Sequence, residues 1–236
     1  VAVFTFLASV GWLGAHILGG GAYLQFATGI DPFWAKVSIA LGFGIYAMIG
    51  GYRAVVWTDT LQAVVLFGGF LLTAFFALQI VGGWEGLRAT HAELAAKSTG
   101  NSVLPGLSLI VVIGVGVLGT PAFRQRIYSG KSVREIRRAY TISGFLYLAF
   151  CILPAIIGMA AYKTFPQLEN RDLAFPNMAT ETLPLALGIL VLLAGLSATL
   201  SSASSDAIAG VTTVIRDLHK LVLGRVPEPG RVVTLS

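Results

Sequence analysis

Gly50-Gly51-Tyr52-Arg53-Ala54-Val55-Val56-Trp57-Thr58-Asp59-Thr60-Leu61-Gln62 places an arginine, an aspartate and a glutamine between two long apolar segments. The preceding segment covers residues 33–49, and the following one covers residues 61–81. A helix of about 20 mostly apolar residues is long enough to cross the hydrocarbon core of a bilayer. We therefore predict two membrane helices that are joined by a short polar connection at one face of the membrane.

The composition of the whole chain extends this prediction beyond the two helices. Of the 236 residues, 56% are hydrophobic and 11% are charged, and the mean hydropathy is +0.80. Soluble domains typically contain about 25% charged residues, so this composition excludes a soluble domain. The predicted fold class is all-α, a polytopic transmembrane helix bundle in which residues 1–236 form a single transmembrane domain within the lipid bilayer.

Six apolar segments are predicted to be transmembrane helices, near residues 3–26, 33–49, 61–81, 104–123, 140–162 and 184–217. The fourth is predicted to be a broken helix, because each glycine weakens a helix by about 1 kcal/mol and proline removes a backbone donor. Its interrupting residues are Gly106, Gly114, Gly116, Gly119 and Pro121. The sixth segment is longer than a membrane requires, so its far end is predicted to project into water.

The distribution of basic residues predicts the orientation of the helices. Cytoplasmic connections of membrane proteins carry an excess of Lys and Arg. Most of the sixteen such residues fall in the connections on one side of the predicted bundle, namely Arg53, Arg124, Arg126, Lys131, Arg134, Arg137, Arg138, Arg216, Lys220, Arg225 and Arg231. That side, including the C-terminal end, is predicted to be cytoplasmic, with the protein in the plasma (inner) membrane. Because topology explains these charges, no nucleic-acid partner is expected.

Asp59 lies at the predicted start of the third helix, where two roles are open to it. Thr58 or Asp59 can cap the helix by accepting hydrogen bonds from its free N–H groups. Alternatively, a carboxylate at the inner mouth of a membrane helix concentrates cations that leave the protein. Both roles can coexist on one residue.

The sixth predicted helix has a high density of small and hydroxyl residues between positions 196 and 206. Ala198, Ser201 and Ser202 are spaced at i, i+3 and i+4, so one carbonyl and two hydroxyl oxygens share a helix face. Such neutral oxygens can replace the water shell of a small hard cation such as sodium. The alternative is that small residues allow close helix packing, with each serine hydrogen-bonded to its own backbone. Spacing alone does not separate the two.

Asp206 and His16 are ionisable residues that lie inside predicted membrane helices. Asp206 costs about 2.5 to 3.5 kcal/mol at the bilayer centre, so it must be paired, hydrated or protonated there. It follows Ser202 by four residues, which suits either a role in releasing a cation on the cytoplasmic side or simple exposure to inner water. His16, in the first helix, is expected to satisfy a neighbouring helix, and a cavity-facing position is the alternative.

Three stretches resemble signature regions of the sodium:solute symporter family. They are residues 50–62, residues 119–126, and residues 201–205 with 216–220, and they occur in the family's order. The resemblance implies the inverted-repeat fold of the leucine-transporter type, in which the six segments are core helices three to eight. The chain is then expected to be an internal piece that lacks the first, second, ninth and tenth core helices.

The resemblance also assigns ion-binding residues. The eighth core helix of the family contributes an Ala-x-x-Ser-Ser/Thr pattern to a sodium site, and this pattern falls on Ala198, Ser201 and Ser202. The remaining ligands come from the first core helix of the family. By analogy, Asp59 lies on the inward exit path of the ion, and Asp206 is a second candidate for that path.

The implied function is sodium-coupled secondary active symport of a small organic solute by alternating access. No enzyme activity is expected, and no cofactor besides sodium as the coupling ion. The broken helix, at Gly114, Gly116, Gly119 and Pro121, is the implied substrate region. Residues 114–118 contain no aromatic residue, and together with the Gly119-Thr120-Pro121 stretch this favours proline, a monocarboxylate, pantothenate or a similar solute. The alternative function is a solute-sensing membrane module of a signalling protein.

Overall fold

The computed structural model describes residues 2–97 and 103–224, and every regular element in these ranges is helical. The α-helices are, in chain order, α1 (Ala2–Thr28), α2 (Pro32–Ile80), α3 (Gly83–Lys97), α4 (Val103–Gly119), α5 (Pro121–Tyr128), α6 (Val133–Phe150), α7 (Ile152–Thr164), α8 (Ala174–Thr182), α9 (Leu185–Thr212) and α10 (His219–Leu223). A 3-10 turn, Arg171–Leu173, precedes α8, and a π-helical segment, Thr213–Leu218, joins α9 to α10.

Five helical spans among the described residues are long and apolar enough to cross a membrane. They are Ala2–Thr28, Pro32–Ile49, Gly51–Ile80, Val133–Thr164 and Leu185–Leu223. A sixth span results if the bent pair Gly106–Val117 and Pro121–Tyr128 is counted as one crossing. These helices have the length and composition of a polytopic membrane protein.

A kink at Gly51 divides α2 into two spans, which we name α2a (Pro32–Ile49) and α2b (Gly51–Ile80). Gly51 has φ 57° and ψ −165°, a conformation that residues with a Cβ rarely adopt. Because α2b begins at Gly51 rather than at the predicted Leu61, Asp59 lies about two turns inside the helix. Thr58 donates its hydroxyl hydrogen to the Val55 carbonyl at 2.9 Å. Neither residue caps the helix, so the capping alternative does not hold.

The predicted break in the fourth segment lies between α4 and α5, whose axes differ by 46°. Thr120 is extended, with φ −68° and ψ 126°, and Pro121 is the first residue of α5. A residue before proline is pushed away from the helical conformation, and proline itself is well suited to the first helical position. The chain therefore bends at Thr120, and Gly114 and Gly116 lie within the continuous part of α4.

The contacts between helices divide the chain into two compact units. The first comprises residues 1–61, 104–132 and 199–236, and the second comprises residues 62–103 and 133–198, each as far as the structure describes them. The single transmembrane domain inferred from the sequence stays a prediction.

In the second unit, α2b and α9 approach each other closely at Gly69. A Cβ built on Gly69 would lie 2.8 Å from the Cβ of Ala194, which leaves no room for a side chain. Nearby, the Phe70 and Phe175 rings are stacked with their centroids 4.2 Å apart. Small residues commonly allow such close packing of membrane helices.

We expect Gly69→Ala to lower the thermal stability of the full-length protein, because overpacking costs about 1 to 3 kcal/mol. The matched control is Gly68→Ala, one position away on the same helix, where no atom lies within 4 Å of the added methyl group. The control should leave stability unchanged or slightly raised, since alanine favours a helix. The measurement is the melting temperature of the purified protein in detergent, and equal melting temperatures for the two variants would contradict the close approach.

Candidate functional site

Three helices of the first unit contribute to one hydrogen-bonded cluster around the Asp59 carboxylate. Ser201 Oγ donates to Asp59 Oδ1 at 2.6 Å, and Ser205 Oγ donates to Oδ2 at 3.2 Å. Arg126 Nη2 donates to the same Oδ2 at 2.9 Å and to Ser205 Oγ at 2.8 Å. We refer to Asp59, Arg126, Ser201 and Ser205 as the Asp59 cluster.

Local helix geometry places each member of the cluster. Ser201 and Ser205 are four residues apart on α9, so their hydroxyl groups lie on one face of that helix. Asp59 reaches them from α2b because the kink at Gly51 starts that span early. Arg126 is in the last turn of α5, the short helix that the break at Thr120 separates from α4.

Two further hydrogen bonds fix α5 within the first unit. Gln125 Nε2 donates to Thr212 Oγ1 at 3.2 Å, which ties α5 to α9. Tyr52 and Ser129 share a hydrogen bond of 2.9 Å between their hydroxyl groups, which ties the start of α2b to the end of α5. Both bonds involve residues within three positions of Arg126, so they hold the part of α5 that carries the guanidinium.

The Asp59 cluster balances one negative charge with one positive charge. The Asp59 side chain is 17% exposed, and the Arg126 side chain is 39% exposed. A carboxylate within a membrane span requires a partner, and here the guanidinium supplies it. In this structure the Arg126 guanidinium is the cation paired with Asp59. Any other cation would have to compete with Arg126 for the Asp59 carboxylate.

The predicted sodium ligands lie on α9 at the predicted spacing, with different surroundings. The Ser201 side chain is half-buried and donates its hydrogen to Asp59 rather than to the backbone. Ser202 is exposed, and its hydroxyl forms no hydrogen bond within residues 2–97 and 103–224.

Ser204 is the serine that bonds to its own helix, at 2.9 Å from the Leu200 and Ser201 carbonyls. The packing alternative thus describes Ser204 and does not describe Ser201. The structure brings Ser201 to Asp59, whereas Ala198 and Ser202 are not part of the cluster.

Asp206 lies on the same helix but has a different partner from the Asp59 cluster. Its side chain is 10% exposed, and its Oδ2 is 3.2 Å from Nε2 of His16 on α1. Of the three possibilities for this carboxylate, pairing is the one observed. His16 contacts a neighbouring helix, as the sequence predicts. A role for Asp206 in the exit of an ion stays a prediction.

The predicted substrate residues lie along α4 and at its end. Gly114 and Gly116 are exposed, with no atom within 4 Å of the position that a Cβ would take. Gly119 ends α4, and Pro121 begins α5. Their part in binding a solute stays a prediction.

Two members of the Asp59 cluster, Arg126 and Ser205, are not among the site residues that the sequence predicts. Arg126 ends the stretch 119–126, and Ser205 lies in the stretch 201–205, so both belong to signature regions. Arg126 was counted only as a charge that sets topology. An arginine placed directly after a broken helix, with a lone carboxylate in another signature region, is the signal that points to the pair.

Comparisons with known proteins identify the family. The model of the sodium:solute symporter family matches residues 1–229. The sodium/pantothenate symporter of Haemophilus influenzae is 26% identical over 211 residues, which cover 86% of this chain and 44% of that protein. The sodium/glucose cotransporter of Vibrio parahaemolyticus is 27% identical, covering 92% and 45%, and the sodium/proline symporter of Staphylococcus aureus is 27% identical, covering 88% and 42%. The chain spans less than half the length of these relatives.

A solved structure shows the same fold. It is the substrate-bound outward-open state of a Na+-coupled sialic acid symporter, with a TM-score of 0.76 and 24% sequence identity over 97% of this chain and 54% of that chain. The prediction of an all-α transmembrane helix bundle is confirmed. The matched family and the relatives named above are symporters rather than enzymes. This chain belongs to the sodium:solute symporter family, whose members couple sodium to a solute, and it is an integral, multi-pass membrane protein.

Proposed function

We propose that this chain provides part of a transporter that moves a small organic solute together with sodium by alternating access. The observation that carries the proposal is the Asp59 cluster, in which Ser201 of the predicted sodium pattern is hydrogen-bonded to a carboxylate inside a membrane span. The family match and the sodium-coupled relatives support it. The free energy comes from the sodium gradient and the membrane potential, about 2.3 kcal/mol per charge per 100 mV.

Sodium, as a transported ion, binds through neutral oxygens of α9. The Ala198 carbonyl and the Ser201 and Ser202 hydroxyl groups supply them. Ser201 uses only its hydrogen toward Asp59, so the lone pairs of its oxygen are available to a cation. Neutral oxygens bind a hard cation less tightly than several carboxylates do, which allows the release that a transport cycle needs.

Asp59 receives the ion on its way to the cytoplasm. A cation that leaves Ser201 reaches the carboxylate that shares a hydrogen bond with it. Arg126 already balances that charge, and two unit cations 4 Å apart repel by about 4 kcal/mol at an effective dielectric constant of 20. Arrival of sodium therefore weakens the Arg126–Asp59 pair, and return of the guanidinium expels the ion. Arg126 thus competes with sodium for Asp59, and this competition speeds the release of sodium.

Substituting Arg126 should change the balance between binding and release. In Arg126→Gln, Asp59 lacks a competing cation, so sodium is held more tightly. We expect the sodium concentration for half-maximal uptake to fall about 5-fold, together with the maximal rate. Arg126→Lys, which keeps the charge, should stay closer to the original protein. Sodium-activation curves of solute uptake measure both quantities, and a curve unchanged in Arg126→Gln would rule out competition.

The proposed substrate is proline, a monocarboxylate, pantothenate or a similar solute. The pantothenate and proline symporters among the relatives support this range, and the glucose cotransporter adds sugars to the compounds that should be tested. We further propose that the protein resides in the plasma (inner) membrane with the C-terminal end of this chain on the cytoplasmic side, as the distribution of basic residues predicts.

The test is uptake of radiolabelled solutes into vesicles that contain the full-length protein. The panel covers proline, pantothenate, a monocarboxylate, glucose and sialic acid, each with an inward sodium gradient and after a sodium ionophore has collapsed that gradient. Gradient-dependent accumulation of one solute establishes symport and identifies the transported substrate. Saturable binding without accumulation would instead support the solute-sensing alternative.

A further inference from the structure

Two apolar helices of the first unit each contribute one ionisable group to the same contact. His16 is the only basic residue of α1, and Asp206 is the only acidic residue of α9. Their Nε2 and Oδ2 atoms are 3.2 Å apart, with the His16 side chain 23% exposed and the Asp206 side chain 10% exposed. Ionisable residues are costly inside a membrane and are therefore rare there.

The packing of α1 on α9 fixes this pair from both sides. A Cβ on Gly20 would lie 3.1 Å from Thr199 Oγ1, and a Cβ on Gly210 would lie 3.5 Å from the Cβ of Ser9. His16 lies between the two α1 positions, and Asp206 lies between the two α9 positions. The Trp12 ring is stacked against the His16 ring, with centroids 6.3 Å apart. The two side chains therefore meet in a defined geometry.

Within the described residues, His16 is the one hydrogen-bond or ion-pair partner of Asp206. Other charged or titratable groups on helices of this unit near α1 and α9 include Tyr23 on α1, Lys36 next to Gly21, Arg124 on α5, the mutually paired Asp59 and Arg126, and Arg216, Asp217, His219 and Lys220 beyond α9. With one proton bound, the His16–Asp206 pair has no net charge. Without that proton, a net negative charge remains between two apolar helices, which is unfavourable in a medium of low dielectric constant.

We propose that His16 and Asp206 form a proton-binding site within the membrane-spanning part of the first unit. The proton is held between Nε2 and Oδ2 and is exchanged with water through the exposed part of the imidazole. Histidine is suited to this role because it changes charge near neutral pH. The site is separate from the proposed sodium ligands and does not depend on them. Its occupancy sets the charge between α1 and α9, so pH acts on the contact between these helices.

The direct test is histidine-selective ¹⁵N NMR of the full-length protein in lipid nanodiscs, between about pH 5 and pH 8. The His16 signal is assigned as the one lost in His16→Gln, and His91→Gln, which removes an exposed histidine of α3, is the matched control. We expect the His16 signal to titrate in the original protein. In Asp206→Asn, which removes the ion-pair partner of His16, the pH dependence of this signal should change measurably. A signal that does not titrate, or one that Asp206→Asn leaves unchanged, would overturn the proposal.

A second measurement does not require assignment of the NMR signals. In the His16→Gln/Asp206→Asn double variant, the glutamine amide donates to the asparagine carbonyl, so the hydrogen bond remains and the titration is lost. As the pH rises, the original protein loses the bound proton and should melt at a progressively lower temperature than the double variant. A difference in melting temperature that is constant with pH would refute the site. Neither the NMR signal nor the melting temperature depends on transport. A negative result here would therefore leave the proposed function untouched, and a negative uptake result would leave this proposal untouched.

Discussion

Asp59→Asn is expected to lower sodium-dependent uptake about 10- to 100-fold. The asparagine keeps the size of the side chain but removes the charge that balances Arg126 and that we propose to attract the ion. Loss of a hydrogen bond to a charged partner costs about 1 to 3 kcal/mol, which corresponds to this range of rates. The measurement is initial solute uptake by the full-length protein, normalised to the amount of folded protein in the membrane.

A double variant separates the effect of Asp59 on ion release from its effect on protein stability. Asp59→Asn alone leaves the Arg126 guanidinium without its counter-charge, which can destabilise the protein regardless of transport. Asp59→Asn/Arg126→Gln removes both charges and should restore the yield of folded protein while uptake stays low. If the double variant regains uptake, Asp59 acts only as a structural partner of Arg126, and the exit-path proposal is wrong. Asp59→Glu, which keeps the charge, should retain part of the activity.

Ser201→Ala with Ser202→Ala is expected to raise the sodium concentration for half-maximal uptake about 10-fold or more. The double substitution removes both hydroxyl groups that we propose as sodium ligands, and a 10-fold change corresponds to about 1.4 kcal/mol of binding free energy. Insertion and stability should change little, because Ser202 is exposed and Ser201 loses one hydrogen bond. Sodium-activation curves at a fixed solute concentration measure the shift.

Two single substitutions serve as controls for this result. Ser204→Ala removes a hydroxyl that donates to the Leu200 and Ser201 carbonyls of α9 and is not a proposed sodium ligand, so sodium dependence should not change. Ser205→Ala removes a hydrogen bond to Asp59 without removing a proposed ligand. If Ser205→Ala shifts the sodium curve as much as the Ser201 and Ser202 substitutions do, the effect comes from Asp59 rather than from ligation. An unchanged curve in the double variant would favour the packing alternative.

The candidate site was partly accessible from sequence. The spacing of Ala198, Ser201 and Ser202 follows from the period of the helix, and the family pattern assigns their ligand role without any knowledge of packing. Arg126 could not be assigned in this way, because its partner Asp59 is 67 positions away in the sequence. Pairs between residues far apart in the sequence depend on how the helices pack, and helix packing cannot be derived from a single sequence.

The start of α2b also could not be predicted correctly from the sequence. Hydropathy placed it at Leu61, because the polar residues before that position look like a connection. In the structure these residues are helical from Gly51 onward, since Asp59 is compensated by Arg126 and by two serine hydroxyl groups. A polar residue can lie inside a membrane helix when neighbouring helices satisfy it, and that compensation is tertiary.

Hydrophobicity, chain breakers and local motifs are properties of short segments, so the fold class and the family of the protein could be predicted from its sequence. Which polar groups meet depends on how helices pack, and the three-dimensional structure places Asp59 beside Arg126 and His16 beside Asp206. A charge within an apolar span is stable only beside its partner, and in both pairs that partner lies on another helix.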